Sequence, residues 1–322
     1  MGAIDHWNPV ALSRELGKKP LAVKVDGREI VLFRTESGST GPLDDVCVHR
    51  RMRLSCGNVC GEKLVCSYHG WAFQLDGNAE SPGTPKMRAQ APSYDVREEQ
   101  EIIWLKPAGC EATFPDFSGE GFFHMATSRH DVAVPLELAV DNFSEVEHTP
   151  MTHVAFGYDL AKMADVKLTV EADDRVVHCR TEGPHQPMPM LLRNFFWLGK
   201  NVDFTSDWNT YFSPVHLVID HVLTDREREE GLQVGRADVQ VSNFVTNAAE
   251  SFWGYGIQLR EGLPTLFWRT YFGRQYVEMF GRDIFTACPA HAVHEVADGI
   301  RVDLTAEPPT ASTWPTYRDV RE

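Results

Sequence analysis

Two short segments, Cys47-Val48-His49 and Cys66-Ser67-Tyr68-His69, each place a cysteine and a histidine one or two positions apart. Sixteen residues separate His49 from Cys66. Spacing this tight puts each pair on a single loop, and two such loops side by side offer two thiolates and two imidazoles. The chain must therefore fold so that both loops meet, which restricts it more than any other feature. Two kinds of metal centre accept the set. One is a tetrahedral zinc ion, and the other is a [2Fe–2S] cluster with two cysteines on one iron and two histidines on the other. A zinc finger would carry its histidines on a helix, three to five residues apart. Here strand-like segments flank both loops and Gly70-Trp71 follows the second histidine, which favours the cluster.

The rest of the chain agrees with a metalloprotein of ordinary globular chemistry. Its 322 residues leave room for about two domains. A formal charge of −15, from 31 basic and 46 acidic side chains, argues against a general nucleic-acid binder. No run of 18 apolar residues suggests a bilayer span. The first residues lack the apolar core of an export signal, and His6 stands where a myristoylation motif needs Ser or Thr. Seven cysteines without an export signal read as metal ligands or free thiols, and the expected location is the cytoplasm.

Short strands with turn punctuation fill the first hundred residues. Leu21 to Phe33 reads as a hairpin around Asp26-Gly27, and Leu64 to Tyr68, Trp71 to Gly77 and Glu101 to Lys106 supply further strands. This block is expected to be an antiparallel β domain over residues 1–115, with 116–322 forming the second domain. Phe114 to Pro135 reads as a connector. Leu136 to His148 is a helix candidate with Pro135 at its start. Strand patterns follow at Val166–Val170, Arg175–Cys179, Val215–Val222 and Val239–Thr246, and Arg274–Cys288 is a possible late helix. The overall class is α+β.

A second constellation lies in Asp141-Asn-Phe-Ser-Glu145-Val-Glu-His148-Thr-Pro-Met-Thr-His153. On a helix Asn142, Glu145 and His148 share one face. His153 lies five positions past His148, and at ~100° per residue an unbroken helix would turn the two imidazoles ~140° apart. Pro150 breaks the helix between them and lets His153 swing back. Two histidines and one carboxylate with open positions form the facial triad of non-haem Fe(II) oxygenases.

Cys-x-His-(16)-Cys-x-x-His-Gly-Trp, followed by Asn142-x-x-Glu145-x-x-His148-x(4)-His153, resembles the catalytic α subunit of the Rieske non-haem iron oxygenases, the aromatic-ring-hydroxylating family. The Rieske proteins of respiratory complexes fit less well, because neither loop has their additional cysteine. The resemblance implies an N-terminal antiparallel β Rieske [2Fe–2S] domain and a C-terminal helix-grip (START-like) antiparallel-sheet catalytic domain. It implies that Cys47, His49, Cys66 and His69 hold the cluster, and that His148, His153 and a late carboxylate hold a mononuclear Fe(II) that uses O2. Asp283 is the choice for that carboxylate, with Glu278, Asp220 and Asp303 as rivals. Glu145, where Asp is usual, would bridge a cluster histidine of the neighbouring subunit to an iron-ligand histidine, with Asn142 beside it. Further implications are an NAD(P)H-dependent flavin reductase or ferredoxin as electron donor, a homotrimer, and a small aromatic or alicyclic substrate. The chain length resembles the monooxygenase and demethylase branch. A cis-dihydroxylating dioxygenase is the alternative, and an electron carrier with a non-catalytic ligand-binding domain is the alternative of another class.

Three features have no settled role in the sequence. The run His49-Arg-Arg-Met-Arg53, with Lys63, places cations near the cluster, either as a docking patch for an acidic donor or as braces paired with local carboxylates. Cys56 and Cys60 read as spare thiols. Aromatic residues between 195 and 272 are expected to fill core and to line an apolar pocket, and Arg193, Asn194 and Asn209 are polar candidates there.

Overall fold

The structure, a computed structural model, describes residues 5–84, 86–115, 122–132, 157–195, 198–212, 215–226, 230–243 and 251–260. No helix among them is long and apolar enough to cross a membrane.

The N-terminal part is built around β3 (Arg28–Arg34), whose centre is the unbroken apolar run Ile-Val-Leu-Phe. A strand alternates its side chains between faces, so such a run must be covered on both sides. Val31 and Phe33 enter one core and Ile30 and Leu32 another. All four are fully buried, each contributing about 2 kcal/mol. β2 (Leu21–Val25) and β4 (Thr40–Asp44) flank β3 in an antiparallel sheet. Asp26 and Gly27, both at positive φ, close the β2–β3 hairpin as the sequence predicts. A second sheet has β1 (Asn8–Leu12) and β10 (Tyr94–Glu99) on either side of β11 (Ile102–Pro107). The third is a five-stranded meander of β5 (Asn58–Cys60), β6 (Lys63–Val65), β7 (Ala72–Phe73), β8 (Asn78–Glu80) and β9 (Arg88–Gln90). Arg34 clamps these layers, giving both Nη atoms to the Glu98 carboxylate on β10 at 2.8 and 3.2 Å.

The second part is one seven-stranded antiparallel sheet. Its strands are β12 (Phe122–Val132), β13 (Lys167–Ala172), β14 (Val176–Pro184), β15 (Val202–Phe212), β16 (Val215–Asp225), β17 (Glu230–Asn243) and β18 (Ser251–Arg260). Their order is β12-β18-β17-β16-β15-β14-β13. One short helix, α1 (Met190–Phe195), joins β14 to β15. On β15, Phe204, Ser206, Trp208 and Thr210 are buried on one face, while on the other Thr205 is buried and Asp203, Asp207 and Asn209 are half-buried.

The expected connector over 114–135 is corrected: it contains β12, an eleven-residue strand. Its sequence, Phe-Phe-His-Met-Ala-Thr-Ser-Arg-His-Asp-Val, has one β-branched residue before its last position, so local propensity does not announce it. Pairing with β18, far along the chain, makes it a strand. The fully buried Thr127 on β12 donates its hydroxyl to the Gln100 carbonyl in the β10–β11 turn, tying the two parts together. The helices expected at 136–148 and 274–288 lie outside the described residues.

Candidate metal centre

The two Cys/His loops are backbone twins. In the first, Cys47 N–H donates to the Met52 carbonyl at 2.8 Å and Arg51 N–H to the Cys47 carbonyl at 2.9 Å. In the second, Cys66 N–H donates to the Trp71 carbonyl at 2.8 Å and Gly70 N–H to the Cys66 carbonyl at 3.1 Å. Each loop thus leaves the framework at a cysteine and returns five residues later. The fourth residue after the cysteine is left-handed in both, Arg51 at φ 58° and Gly70 at φ 72°.

The framework sorts the four donors by depth. Cys47 and Cys66 are both buried, in one apolar cluster with Leu54, Leu64, Trp71 and Phe73. Burial pushes the Cys47 thiol up, and Cys66 adds to this; the backbone N–H groups of His49 and Arg50 act in the opposite sense by donating to the sulfur. His49 and His69 are exposed, with ring centroids 4.6 Å apart and planes at 77°. Partial desolvation, helped by the nearby His49 and Arg50, holds His69 below the usual histidine range, favouring the neutral imidazole that binds metal. The indole of Trp71 lies 5.7 Å from the His49 ring at 20°, a stacked support.

This arrangement separates the two metal readings. A structural zinc site needs four donors converging on one point. A [2Fe–2S] cluster needs a cysteine pair and a histidine pair, one for each iron. A buried thiol pair beneath an exposed imidazole pair fits the cluster.

The bracing of the loops is a feature the sequence reading missed. Asp45, fully buried just before the first loop, accepts from Ser55 N–H and Ser55 Oγ, both at 2.6 Å. Arg53 Nε approaches the same carboxylate at 3.5 Å, and its Nη2 pairs with Glu29 at 2.6 Å. Asp and Ser ten residues apart are too common a pair to have signalled it. The cation run is thereby divided. Arg53 and Lys63 are braces, Lys63 on Glu80, whereas Arg50 and Arg51, exposed like Arg53, form no salt bridge among the described residues. Cys56 and Cys60 are exposed free thiols.

Asn142, Glu145, His148, His153 and Asp283, and the rivals Glu278 and Asp303, lie outside the described residues. Asp220 is on β16, paired with Asp207 of β15. Together with Arg180, Glu182, Thr205, Val222 and Thr224 they line a hollow of about 370 Å³. His178 Nε2 and Arg180 Nη1 meet the two oxygens of Asp207 there, at 2.5 and 3.0 Å. This hollow is charged, unlike the apolar pocket expected from the aromatic residues. Of those, Phe204 and Trp208 are buried on the opposite face of the sheet, and Phe204 packs on Tyr158 and His185.

Comparisons with known proteins follow the same division. The family described as "Rieske [2Fe-2S] domain" matches residues 6–95. Chlorophyllide a oxygenase of Chlamydomonas reinhardtii is 35% identical over 161 residues, 48% of this chain and 25% of that protein. The oxygenase subunit of tert-butanol monooxygenase / tert-amyl alcohol desaturase from Aquincola tertiaricarbonis is 34% identical over 122 residues, 35% of this chain and 26% of that protein. The chain thus spans about a quarter of the length of these relatives. A crystal structure of dicamba monooxygenase bound to 3,6-dichlorosalicylic acid superimposes with a TM-score of 0.75 at 20% identity, covering 99% of this chain and 96% of that one. The chain thus matches the Rieske [2Fe-2S] domain family over residues 6–95, and its fold is that of the dicamba monooxygenase structure.

Proposed function

We propose that this chain is the oxygenase component of a multicomponent Rieske system, with a cluster domain over 1–115 and a mononuclear iron domain over 116–322. The observation that carries this reading is the depth-sorted pair of twin loops, set in a chain with the whole-length fold of an oxygenase. When bound, the cluster and the ferrous ion supply one-electron transfer and O2 activation. The protein's part is to hold, orient and seal. Cys47 and Cys66 are the thiolate donors, kept from water by the surrounding core. His49 and His69 are the imidazole donors at the surface, His49 held by Trp71. His148, His153 and Asp283 are the donors for the mononuclear iron, and Glu145 with Asn142 links the two sites across subunits of a trimer. The electron donor is a ferredoxin or an NAD(P)H-dependent flavin reductase, and the protein works in the cytoplasm. The substrate is a small aromatic or alicyclic compound, hydroxylated or demethylated rather than cis-dihydroxylated.

Iron and acid-labile sulfide analysis of the purified protein, with visible spectra of Cys66→Ser and His148→Ala, tests this directly. The reading expects three irons and two sulfides per chain, no colour in Cys66→Ser, and full colour with one iron lost in His148→Ala. Two irons in the unaltered protein would make it an electron carrier, and colourless zinc protein would refute the cluster. Oxygen uptake against methoxy-aromatics, aromatic acids and alicyclic compounds, with a surrogate reductase, then identifies the substrate class.

A further inference from the structure

The seven-stranded sheet has two edges, and they are treated differently. Among the described residues β12 pairs with β18 alone and β13 with β14 alone. An unpaired strand edge invites another strand, and proteins blunt such edges with bulges, prolines, repeated lysines or a covering element. β12 carries a register shift between His124 and Ala126 and is held to the cluster domain through Thr127. β13 pairs in unbroken register over all six residues, contains no proline, and is exposed along its whole length. Leu168 and Val170 are 36% and 54% exposed, although Thr181 and Cys179, directly opposite them on β14, are buried. That face of the sheet therefore ends in an apolar row on an open edge. The 3-10 turn leading into β13, Leu160–Asp165, adds exposed Leu160 and Met163.

The strand's own sequence says what fits this edge. Lys167-Leu168-Thr169-Val170-Glu171 is complementary to itself when turned end for end. An antiparallel neighbour related by a two-fold axis at Thr169 sets Lys167 against Glu171 twice, Leu168 against Val170 twice, and Thr169 against its own copy. Opposite charges and apolar pairs directly across two strands are each favourable. Such an axis keeps every side chain on its own face, so the apolar rows of the two copies join. Neither Lys167 nor Glu171 has an ion pair among the described residues, so both are available to a partner strand. We propose that β13 is a self-association edge, to which a second copy of this chain adds its own β13 antiparallel about a two-fold axis at Thr169. The net charge of −15 repels copies at long range, but at 0.15 M salt that repulsion is screened beyond about 8 Å, and the charges paired across the edge lie within it. The contact presents the same surface on both copies and closes on itself. It adds to a three-fold contact rather than replacing it, so trimers would be joined in pairs. The inference stands apart from the oxygenase reading.

The experiment follows the mass of the intact holoprotein by sedimentation velocity and light scattering. The proteins compared are the unaltered chain, Lys167→Glu, Glu171→Lys, the double exchange and Val170→Lys. A strand-sized contact is at the small end of protein interfaces, so concentrations run up to about 100 µM. The unaltered protein should double its mass as concentration rises. Each single reversal turns two attractive pairs into two repulsive ones and should weaken the doubling by about 10-fold or more. The double exchange restores both pairs and should bring the dissociation constant back to within about 3-fold of the unaltered value. Lys167 and Glu171 lie about 13 Å apart along one strand, so roles inside a single chain would give no such rescue. Val170→Lys should abolish the doubling while colour and, in dilute samples, the urea midpoint stay as they were, as expected of an exposed site. A mass that never doubles would overturn the proposal, as would doubling that survives Val170→Lys or single reversals that the double exchange does not rescue. Colourless protein that still doubles would overturn the oxygenase reading alone.

Discussion

Asp45→Ala should destabilise the cluster domain without touching a metal donor. The carboxylate is fully buried and accepts two short hydrogen bonds from Ser55, while Arg53 Nε stands at 3.5 Å. Bonds to a charged acceptor contribute roughly 1.5–3 kcal/mol each, so the two from Ser55 together amount to about 3–6 kcal/mol. Two effects reduce the loss. Ser55 is half-buried, so water partly replaces its partner, and removing a buried carboxylate also removes its desolvation cost. The Arg53 contact adds little, because that guanidinium is half exposed and also pairs with Glu29. The net expectation is a loss of about 3 kcal/mol for Asp45→Ala, and about half that for Asp45→Asn, which keeps the volume and one acceptor oxygen. With a urea slope of about 2–3 kcal/mol per molar, the midpoint for Asp45→Ala should fall by about 1 M. Tryptophan fluorescence and visible colour, recorded on the same samples, are suitable probes. A midpoint shift below about 0.2 M would refute the brace, since such a shift is that of an ordinary surface change.

Gly57→Ala should be nearly as damaging, for a steric reason. Its added Cβ would lie 2.4 Å from the Val65 carbonyl oxygen and 2.9 Å from that of Leu54, both backbone atoms. The chain leading into Cys66 must therefore move, at about 2–3 kcal/mol, and both the urea midpoint and the visible spectrum should change; Gly83→Ala, with open space around it and no positive φ, should leave the spectrum alone. Glu98 gives a pH dependence. Its partial burial would raise its pKa, but hydrogen bonds from Arg34, Thr40 and Ser13 outweigh that and hold it below the usual range. A carboxylate lowered in the folded state stabilises above the unfolded pKa of about 4.3, and that contribution fades as pH falls through the lower folded value. Glu98→Gln should thus cost up to about 1 kcal/mol at neutral pH, with the gap to the unaltered protein narrowing in urea titrations carried out in acid. Beside the seven-stranded sheet, Tyr158→Phe removes a buried hydroxyl that donates to Thr181 Oγ1 on β14 at 2.5 Å and whose pKa burial pushes up to about 12. Thermal unfolding should show a loss of about 1–2 kcal/mol, and no loss would mean that the bond contributes nothing net.

How much of this was legible in the sequence depends on how local each signal is. The β2–β3 hairpin was readable because Asp26-Gly27 fixes its turn and the flanking runs are strongly apolar. The Cys/His loops were readable because metal chemistry demands particular residues at short range. β12 was not, since its strand character comes from β18. β15 was also hidden, because Asp203, Asp207 and Asn209 look like turn formers until the buried row of Phe204, Ser206, Trp208 and Thr210 is seen on the other face. The cation run was ambiguous for a comparable reason. Whether an arginine is a brace or a free charge depends on carboxylates such as Glu29 and Asp45 that only the fold brings near.

The depth difference between the cysteines and histidines has a consequence for how the site assembles. Two thiolates in an apolar core would be costly as bare anions, and burial already pushes the Cys47 thiol toward its protonated form. On the proposed function, iron held by this pair would offset that charge, so cluster insertion and consolidation of the Val31–Phe33–Leu43 core would be thermodynamically linked. The histidines carry no such burden, because neutral imidazoles at the surface bind metal without a buried charge. The twin loops therefore divide the two residue types by chemistry: the core holds the thiol pair through burial, while the imidazole pair stays at the surface of the chain.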